Sequence, residues 1–226
     1  MITIMKKFFS LLASSLILVS LCSCSKDDAP GKAVDLGLSV KWSSYNLGAS
    51  SPEDFGLYYS WGETETKSTF GDMNYKWYDR SEKPITKYNY NDRYGTVDNL
   101  SQLQRVDDAA SVAWGDNWRI PTEKEIKELI NNCTWIWGKK NGVVGYTVKS
   151  KVNKNSIFLP AGGHYVDDMY YNNTNYGDDY RVGFYWSSNI ADDSPHRALI
   201  LGFDIDSQRI SIQFRQTGSL IRPVCR

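Results

Sequence analysis

Alternating apolar and polar residues recur along the second half of the chain and predict a series of short β-strands. These runs are rich in β-branched and aromatic residues and are separated by Gly, Pro, Asn and Asp, as strands between turns usually are. The same pattern occurs twice near the start of the chain. The predicted strands cover residues 34–48, 57–61, 145–151, 156–160, 183–187, 198–204, 209–215 and 219–224.

Two segments carry the signals of a helix. Asp107 and Asp108 precede an apolar run that ends at Gly115, and acidic residues at such a position cap exposed amides and favour the helix dipole. Further on, Thr122 and Glu125 form a capping box, which is followed by apolar residues at helical spacing. The sequence therefore predicts two short helices.

The remaining segments are predicted to be loops. Residues 71–94 show no sustained period, and residues 161–179 are rich in turn-forming residues. Because most of the strands follow the pair of helices, we expect an α+β domain that is loop-rich and built on a twisted antiparallel sheet.

The first residues carry the pattern of a secretory signal. Two lysines precede an apolar run at residues 8–21, and about fourteen residues is shorter than the roughly 18–20 that a membrane-spanning helix needs. Leu21, the small Ser23 and then Cys24 resemble the bacterial lipobox. We expect Cys24 to be lipidated, with acyl chains such as palmitate. The alternative is an ordinary cleaved signal with incidental cysteines.

The expected organisation has three parts. They are a lipoprotein signal peptide at residues 1–23, a lipidated tether at residues 24–33 and a single domain at residues 34–226. Residues 25–28, SKDD, resemble the short acidic tag that routes lipoproteins to the outside of the outer membrane in Bacteroidetes-like bacteria. We therefore expect a protein that is lipid-anchored in the outer membrane and exposed on the cell surface.

Composition narrows the class of protein. The 26 basic residues balance the 26 acidic ones, which gives no basic footprint for nucleic acid. With the 15 Tyr and 8 Trp set among Gly, Asn and Asp, the composition is typical of a loop-rich extracytoplasmic domain.

Two cysteines remain after the signal segment, Cys133 and Cys225. An even pair in an exported chain predicts a disulfide. The alternative is a pair of buried free thiols.

Seven motifs occur in a familiar order: AVDLGLSVKWSSYNLGA, PEDFGLYYSWGE, DDAASVAWGDNWRIPTEKEIKELINNCTW, NGVVGYTV, SIFLPAGG, GFYWSS and LIRPVC. In this order they resemble the Fibrobacter succinogenes major paralogous domain, which is common in secreted Bacteroidetes proteins. The resemblance covers nearly all of the chain after the signal. It implies a fold similar to C-type lectins and to the formylglycine-generating enzyme, in which a WRIPTEKE-like segment opens a helix. The family has no well-established activity.

The same resemblance bears on the cysteines. It implies a bridge from Cys133 at the helix to Cys225 at the last strand, as in lectin-like domains. This chain departs from the family pattern at LPAGG, where longer alanine runs are usual, and in Cys225, which many members lack.

Candidate catalytic and metal-binding residues are few. His164 and His196 stand far apart in the sequence without a nucleophile signature, and we expect them to be loop residues. Several Asp pairs offer oxygens for Ca²⁺, but there is no EF-hand loop and no Glu-Pro-Asn segment, which favours solvated carboxylates. We predict no metal and no cofactor. A formylglycine-generating-type enzyme needs dedicated reactive thiols, which the chain lacks if the cysteines are bridged.

One segment, residues 164–185, has the composition of a binding surface. Rigid amphipathic rings alternate there with adaptable polar side chains, as in an antibody paratope. The alternative is a poorly ordered polar loop. We expect the rings to be partly exposed, with residues 189–196 beside them. The predicted ligand-binding residues are Tyr165, Tyr170, Tyr171, Asn172, Asn173, Asn175, Tyr176 and Tyr180.

These observations predict a non-enzymatic surface lipoprotein with a lectin-like domain that presents a ligand-binding face to a glycan or protein outside the cell. A structural subunit or tip of a surface assembly is the first alternative, and a formylglycine-generating-type enzyme is the second. In some lectin-like proteins, retroelements randomise adenine-containing codons and so enrich Asn, Tyr, Asp and Ser in the binding face, and such diversification is a further hypothesis for this chain.

Overall fold

A computed structural model of the protein describes residues 31–173, 175 and 177–226. Over these residues the chain forms two helices and several small antiparallel sheets, which confirms the α+β class. In the same part of the chain, no helix is both long and apolar enough to cross a membrane. The strands are β1, Ala33–Val34; β2, Lys41–Ser43; β3, Trp118–Arg119; β4, Cys133–Lys140; β5, Val143–Ser150; β6, Ser156–Pro160; β7, His164–Val166; β8, Met169–Tyr171; β9, Gly183–Ile190; β10, Arg197–Phe203; β11, Gln208–Phe214; and β12, Val224–Cys225. The helices are α1, Ala109–Trp114, and α2, Glu123–Asn132.

Both helices begin at the caps that the sequence predicts. The Asp108 carboxylate accepts hydrogen bonds of 3.0 Å from the amides of Ala110 and Ser111 at the start of α1. At α2 the amide of Glu125 donates to Thr122 Oγ1, and the amide of Thr122 donates to Glu125 Oε2 at 2.8 Å. These bonds satisfy amides that have no partner inside a helix, so the start of each helix is fixed locally.

The two ends of the domain meet in one sheet of order β1-β2-β12-β3. β12 pairs with β2 on one side and β3 on the other, which places Val224 between Trp42 and Arg119. The other sheets are β4-β5-β6, β11-β10-β9 and the hairpin of β7 and β8. The last strand therefore ties the start of the domain to the segment that leads into α2.

The core is divided into two hydrophobic clusters, and β12 runs between them. Val224 belongs to the first cluster, with α2, β5 and β6, whereas Cys225 belongs to the second, which contains Trp61 and Trp186. Successive side chains of a strand face opposite sides, which explains the division.

The structure corrects the predicted disulfide between Cys133 and Cys225. Cys133 packs in the first cluster and Cys225 in the second, and both are buried free thiols. The structure therefore agrees with the alternative prediction, a pair of buried free thiols.

Two buried arginines join separate segments of the domain. The Arg222 guanidinium donates to the carbonyl oxygens of Ser43 and Phe158 at 3.0 and 2.7 Å and to Asn46 Oδ1 at 2.8 Å. Burial lowers the pKa of Arg222 to about 10. Each bond satisfies a buried polar group, so Arg222 holds three chain segments at one point.

Arg215 does the same for the long loop at residues 71–94. It donates to Tyr75 Oη at 2.9 Å and to the carbonyl oxygens of Lys87 and Pro195 at 3.0 and 2.9 Å. Its guanidinium lies 4.9 Å from the centre of the Trp61 ring. The loop has the irregular backbone that the sequence predicts, but the buried cation anchors it to the end of β11.

Asp107 is a second anchor of that loop. Its buried carboxylate accepts hydrogen bonds from Lys87 Nζ at 2.6 Å, Tyr88 Oη at 2.7 Å and Lys76 Nζ at 3.3 Å. Burial acts to raise the pKa of Asp107, but the bonds from Lys87 and Tyr88 outweigh it and the pKa is lowered. Of the two acidic residues in the predicted cap, Asp107 therefore holds the loop and Asp108 caps the helix.

Three predicted strands near the chain ends are shorter than expected. Within residues 34–48, β2 is the main paired segment, and in residues 57–61 Tyr59 makes a single bridge to Ser219. Residues 219–224 change partner along their length: Ser219 bonds to Tyr59, Leu220 to Phe184 and Trp186, and β12 begins at Val224. A continuous ladder does not form because each residue meets a different segment.

Candidate ligand-binding face

The predicted binding segment begins as a hairpin and does not form an irregular loop throughout. In the β7–β8 pair, Tyr165 lies opposite Tyr170 and His164 lies opposite Tyr171. Asp167 at the turn has a φ of 53°, which Asp adopts more readily than most residues. The side chains of Tyr170 and Tyr171 are 38% and 42% exposed.

The hairpin directs its aromatic rings to two opposite faces. Tyr165 and Tyr170 share one face, with ring centres 5.0 Å apart, while Tyr171 stacks on His164 on the other face at 5.5 Å. Neighbouring residues of a strand point in opposite directions, so Tyr170 and Tyr171 cannot contact a small ligand together. The structure therefore separates two residues that the sequence placed in a single site.

Tyr165 packs the hairpin against the rest of the domain. Its ring packs edge to face on Tyr58 at 4.8 Å and lies 5.8 Å from Phe70, and its backbone exchanges hydrogen bonds of 2.8 and 2.9 Å with Gly218. Ring pairs of this kind add packing energy beyond the area they bury. Tyr165 is half-buried and holds the hairpin on the domain.

Asn172 is buried and positions the face from inside. Its Nδ2 donates to the carbonyl oxygen of Ala161 at 2.8 Å and to Tyr170 Oη at 2.9 Å, and its Oδ1 accepts from the amide of Val182 at 3.0 Å. Only 3% of Asn172 is exposed. We therefore assign it the role of fixing the Tyr170 ring, since its amide is satisfied within the protein.

A shallow pocket of about 250 Å³ lies beside Tyr170 and is called here the Tyr170 pocket. Its walls include Phe55, Asn172, Asp178 and Arg181. It therefore combines aromatic surface with both signs of charge.

The charged wall of the Tyr170 pocket is an ion-pair group. Asp178 accepts a short hydrogen bond from Lys139 and lies 3.7 Å from Arg181 Nε. The hydrogen bond from Lys139 is the main reason that the pKa of Asp178 is lowered. The carboxylate is thus ionised and held near a guanidinium at neutral pH.

The other predicted residues have varied positions. Asn173 and Asn175 are exposed, and Tyr180 is 61% exposed. Tyr176 and the predicted lipidation site, Cys24, lie outside the residues that the structure describes.

The expected neighbour of the face, residues 189–196, has its contacts elsewhere. Tyr90 Oη donates to the carbonyl oxygen of Asp192 at 2.9 Å, and the His196 ring packs on Tyr78 and Tyr94 at 5.5 and 4.9 Å. Residues 189–196 do not flank the binding segment because the long loop at residues 71–94, which carried no periodic signal, packs over them.

The aspartates and histidines are used in local contacts. Asp193 pairs with Arg197 at 2.5 Å, and Asp204 accepts hydrogen bonds from Ser207. In the described part of the chain, no cluster of three or more His, Cys, Asp or Glu side chains is placed to hold a metal. Burial lowers the pKa of His164, which keeps this histidine neutral at pH 7.

The two thiols are poorly suited to nucleophilic chemistry. Burial raises the pKa of Cys133 to about 11 and also raises the pKa of Cys225. A thiol reacts through its thiolate, so both are weak nucleophiles in the folded domain.

Comparisons of the chain with protein-family models, with curated proteins and with solved structures found no match.

Proposed function

We propose that this protein is a non-enzymatic surface lipoprotein whose domain binds an outside glycan or protein in the Tyr170 pocket. The observation that carries the proposal is that buried Asn172, itself bonded to the carbonyl oxygen of Ala161, donates a hydrogen bond to Tyr170 Oη in the pocket that Asp178 and Arg181 also line. A ring that is already fixed loses little conformational freedom when a ligand contacts it, which favours binding.

The domain is proposed to have a C-type-lectin-like fold. The support is local: the segment that resembles the family, WRIPTEKE, leads directly into α2 through the Thr122 capping box. We further propose that Cys24 carries the lipid that anchors the protein in the outer membrane. Replacing Cys24 with Ala would abolish labelling by a fatty-acid analogue, and normal labelling of that variant would contradict the anchor.

The properties of the Cys133 and Cys225 thiols give little support to the alternative of a formylglycine-generating-type enzyme. They are free, which reopens a thiol-dependent mechanism, but they lie in different clusters and their pKa values are raised. An assembly subunit remains the first alternative.

The test of the proposed function is binding of the full chain, purified in a mild detergent, to an array of purified glycans and to extracts of surface proteins. We expect saturable binding to one ligand class by a monomer. Concentration-dependent self-association without any bound ligand would overturn the proposal in favour of an assembly subunit. Sedimentation measurements on the same preparation distinguish these outcomes.

A further inference from the structure

A second cleft, of about 500 Å³, lies between the loop at residues 71–94 and the end of β11. It shares none of its lining residues with the Tyr170 pocket. The side chains that matter for its chemistry are those of Met73, Tyr78, Asp79, His196, Phe214 and Gln216.

The inner wall of this cleft is preformed. Tyr78 Oη lies 2.9 Å from His196 Nδ1, and the Tyr78 ring packs edge to face on Tyr75 at 4.9 Å. Tyr75 in turn accepts a hydrogen bond from the buried Arg215. The wall is therefore linked to the rigid core, although the sequence shows only a loop at this position.

The rim of the cleft presents apolar surface to water. Phe214 is 51% exposed and Met73 is 74% exposed. An exposed ring offers a flat apolar face, and a thioether side chain adapts its shape to whatever lies against it. Such surfaces suit a ligand that has an apolar face of its own.

The polar groups of the cleft are varied and nearly balanced in charge. Asp79 is held by hydrogen bonds from the amide and hydroxyl of Ser81, at 2.9 and 2.6 Å, and Arg80 lies next to it in the lining. Gln216 Oε1 is buried and has no hydrogen-bond partner among the described residues. An unpaired buried acceptor is costly, so a ligand hydroxyl that donates to it would be favoured.

We propose that this cleft binds a neutral hexopyranose unit of a glycan, with the apolar face of the sugar on Phe214 and its hydroxyls on Gln216, Asp79 and His196. Sugars combine a C–H face with many hydroxyls, which matches an exposed ring surrounded by acceptors and donors. An anionic ligand is less suitable, since Asp72 and Asp79 outnumber the single Arg80 in the lining. The inference is independent of the Tyr170 pocket.

The experiment is titration of the full chain, in detergent, with methyl glycosides of glucose, galactose, mannose and N-acetylglucosamine, followed by NMR. We expect saturable shifts of the Phe214 and Gln216 resonances with at least one glycoside. Phe214→Ala should weaken that binding by about tenfold or more, as loss of an aromatic anchor does, with an unchanged melting temperature because Phe214 is half exposed.

Tyr171→Ala is the matched control, because this ring is similarly exposed but belongs to the hairpin. Absence of saturable shifts with all four glycosides would overturn the inference. Equal binding by the Phe214→Ala variant would also overturn it. Binding of a glycoside that is lost only in the Arg181→Ala variant would overturn the inference that this cleft binds sugar. It would instead support binding in the Tyr170 pocket.

Discussion

The side-chain amide of buried Asn172 donates a hydrogen bond of 2.9 Å to the hydroxyl of the partly exposed Tyr170. The same amide group donates to Ala161, just after β6, and accepts from Val182, just before β9, so it joins these two segments and the hairpin at one point. The partly exposed Tyr170 ring is thereby held in place by a buried side chain. A residue that the sequence suggested as a ligand contact is the support of the pocket.

Replacing Asn172 with Ala removes all three bonds and leaves buried carbonyl and amide groups unpaired. We expect the free energy of unfolding to fall by about 2–4 kcal/mol, measured by urea denaturation. Asn175→Ala is the control, since Asn175 is exposed, and its effect should stay within about 0.5 kcal/mol. Equal effects of the two variants would show that Asn172 does not hold the face.

The helices were predictable because their signals are local. The caps at Asp108 and Thr122 act within a few residues, and both operate as predicted. Strands β6, β9, β10 and β11 were also found to within a few residues, because alternation in a regular ladder is a local property as well.

What the sequence did not reveal depends on distant contacts. β4 was missed, since Trp135 and Trp137 lie on one face while the apolar Ile136 is half exposed on the other, which obscures the alternation. Arg215 is ordinarily a surface residue type, and nothing near it in the sequence shows that carbonyls from residues 87 and 195 surround it. The opposite directions of Tyr170 and Tyr171 likewise required knowledge that the segment is a strand.

The Arg215→Met variant should lose the anchor of the long loop. The buried carbonyls of Lys87 and Pro195 lose their donors, and we expect a loss of about 3–5 kcal/mol in the free energy of unfolding. Arg209→Met is the control, because Arg209 is exposed, and it should cost less than about 1 kcal/mol. A small loss at Arg215 would mean that the loop is held by other contacts.

Stability should depend on pH through Asp108. Burial raises the pKa of Asp108 from 3.8 to about 6, so between these values the folded state keeps a proton that the unfolded state has lost. The stability of the protein relative to its non-titrating Asp108→Asn variant is therefore expected to fall as pH rises from about 3 to 7, by roughly 3 kcal/mol. The free energy of unfolding of both proteins, measured by urea denaturation across this pH range, tests the direction of this change. A relative stability that rises with pH would contradict it.

The thiols should be unlinked and slow to react. With a pKa of about 11, Cys133 is about one-thousandth thiolate at pH 8, and burial shields it further. We expect negligible alkylation of Cys133 and Cys225 in the native protein and full alkylation of both after unfolding without reductant. A linked pair in a non-reducing peptide map of the exported protein would show that the two cysteines are not free thiols.

The most direct test of the proposed binding site compares two adjacent rings that are similarly exposed on opposite faces of the hairpin. Affinity for the ligand retained by the full chain is measured for Tyr170→Ala, Tyr171→Ala and Arg181→Ala, together with the melting temperature of each variant. Binding in the Tyr170 pocket predicts a loss of about tenfold or more for Tyr170→Ala and Arg181→Ala and near-normal affinity for Tyr171→Ala. Normal affinity in folded Arg181→Ala and Tyr170→Ala, or an equal loss in Tyr171→Ala, would contradict it.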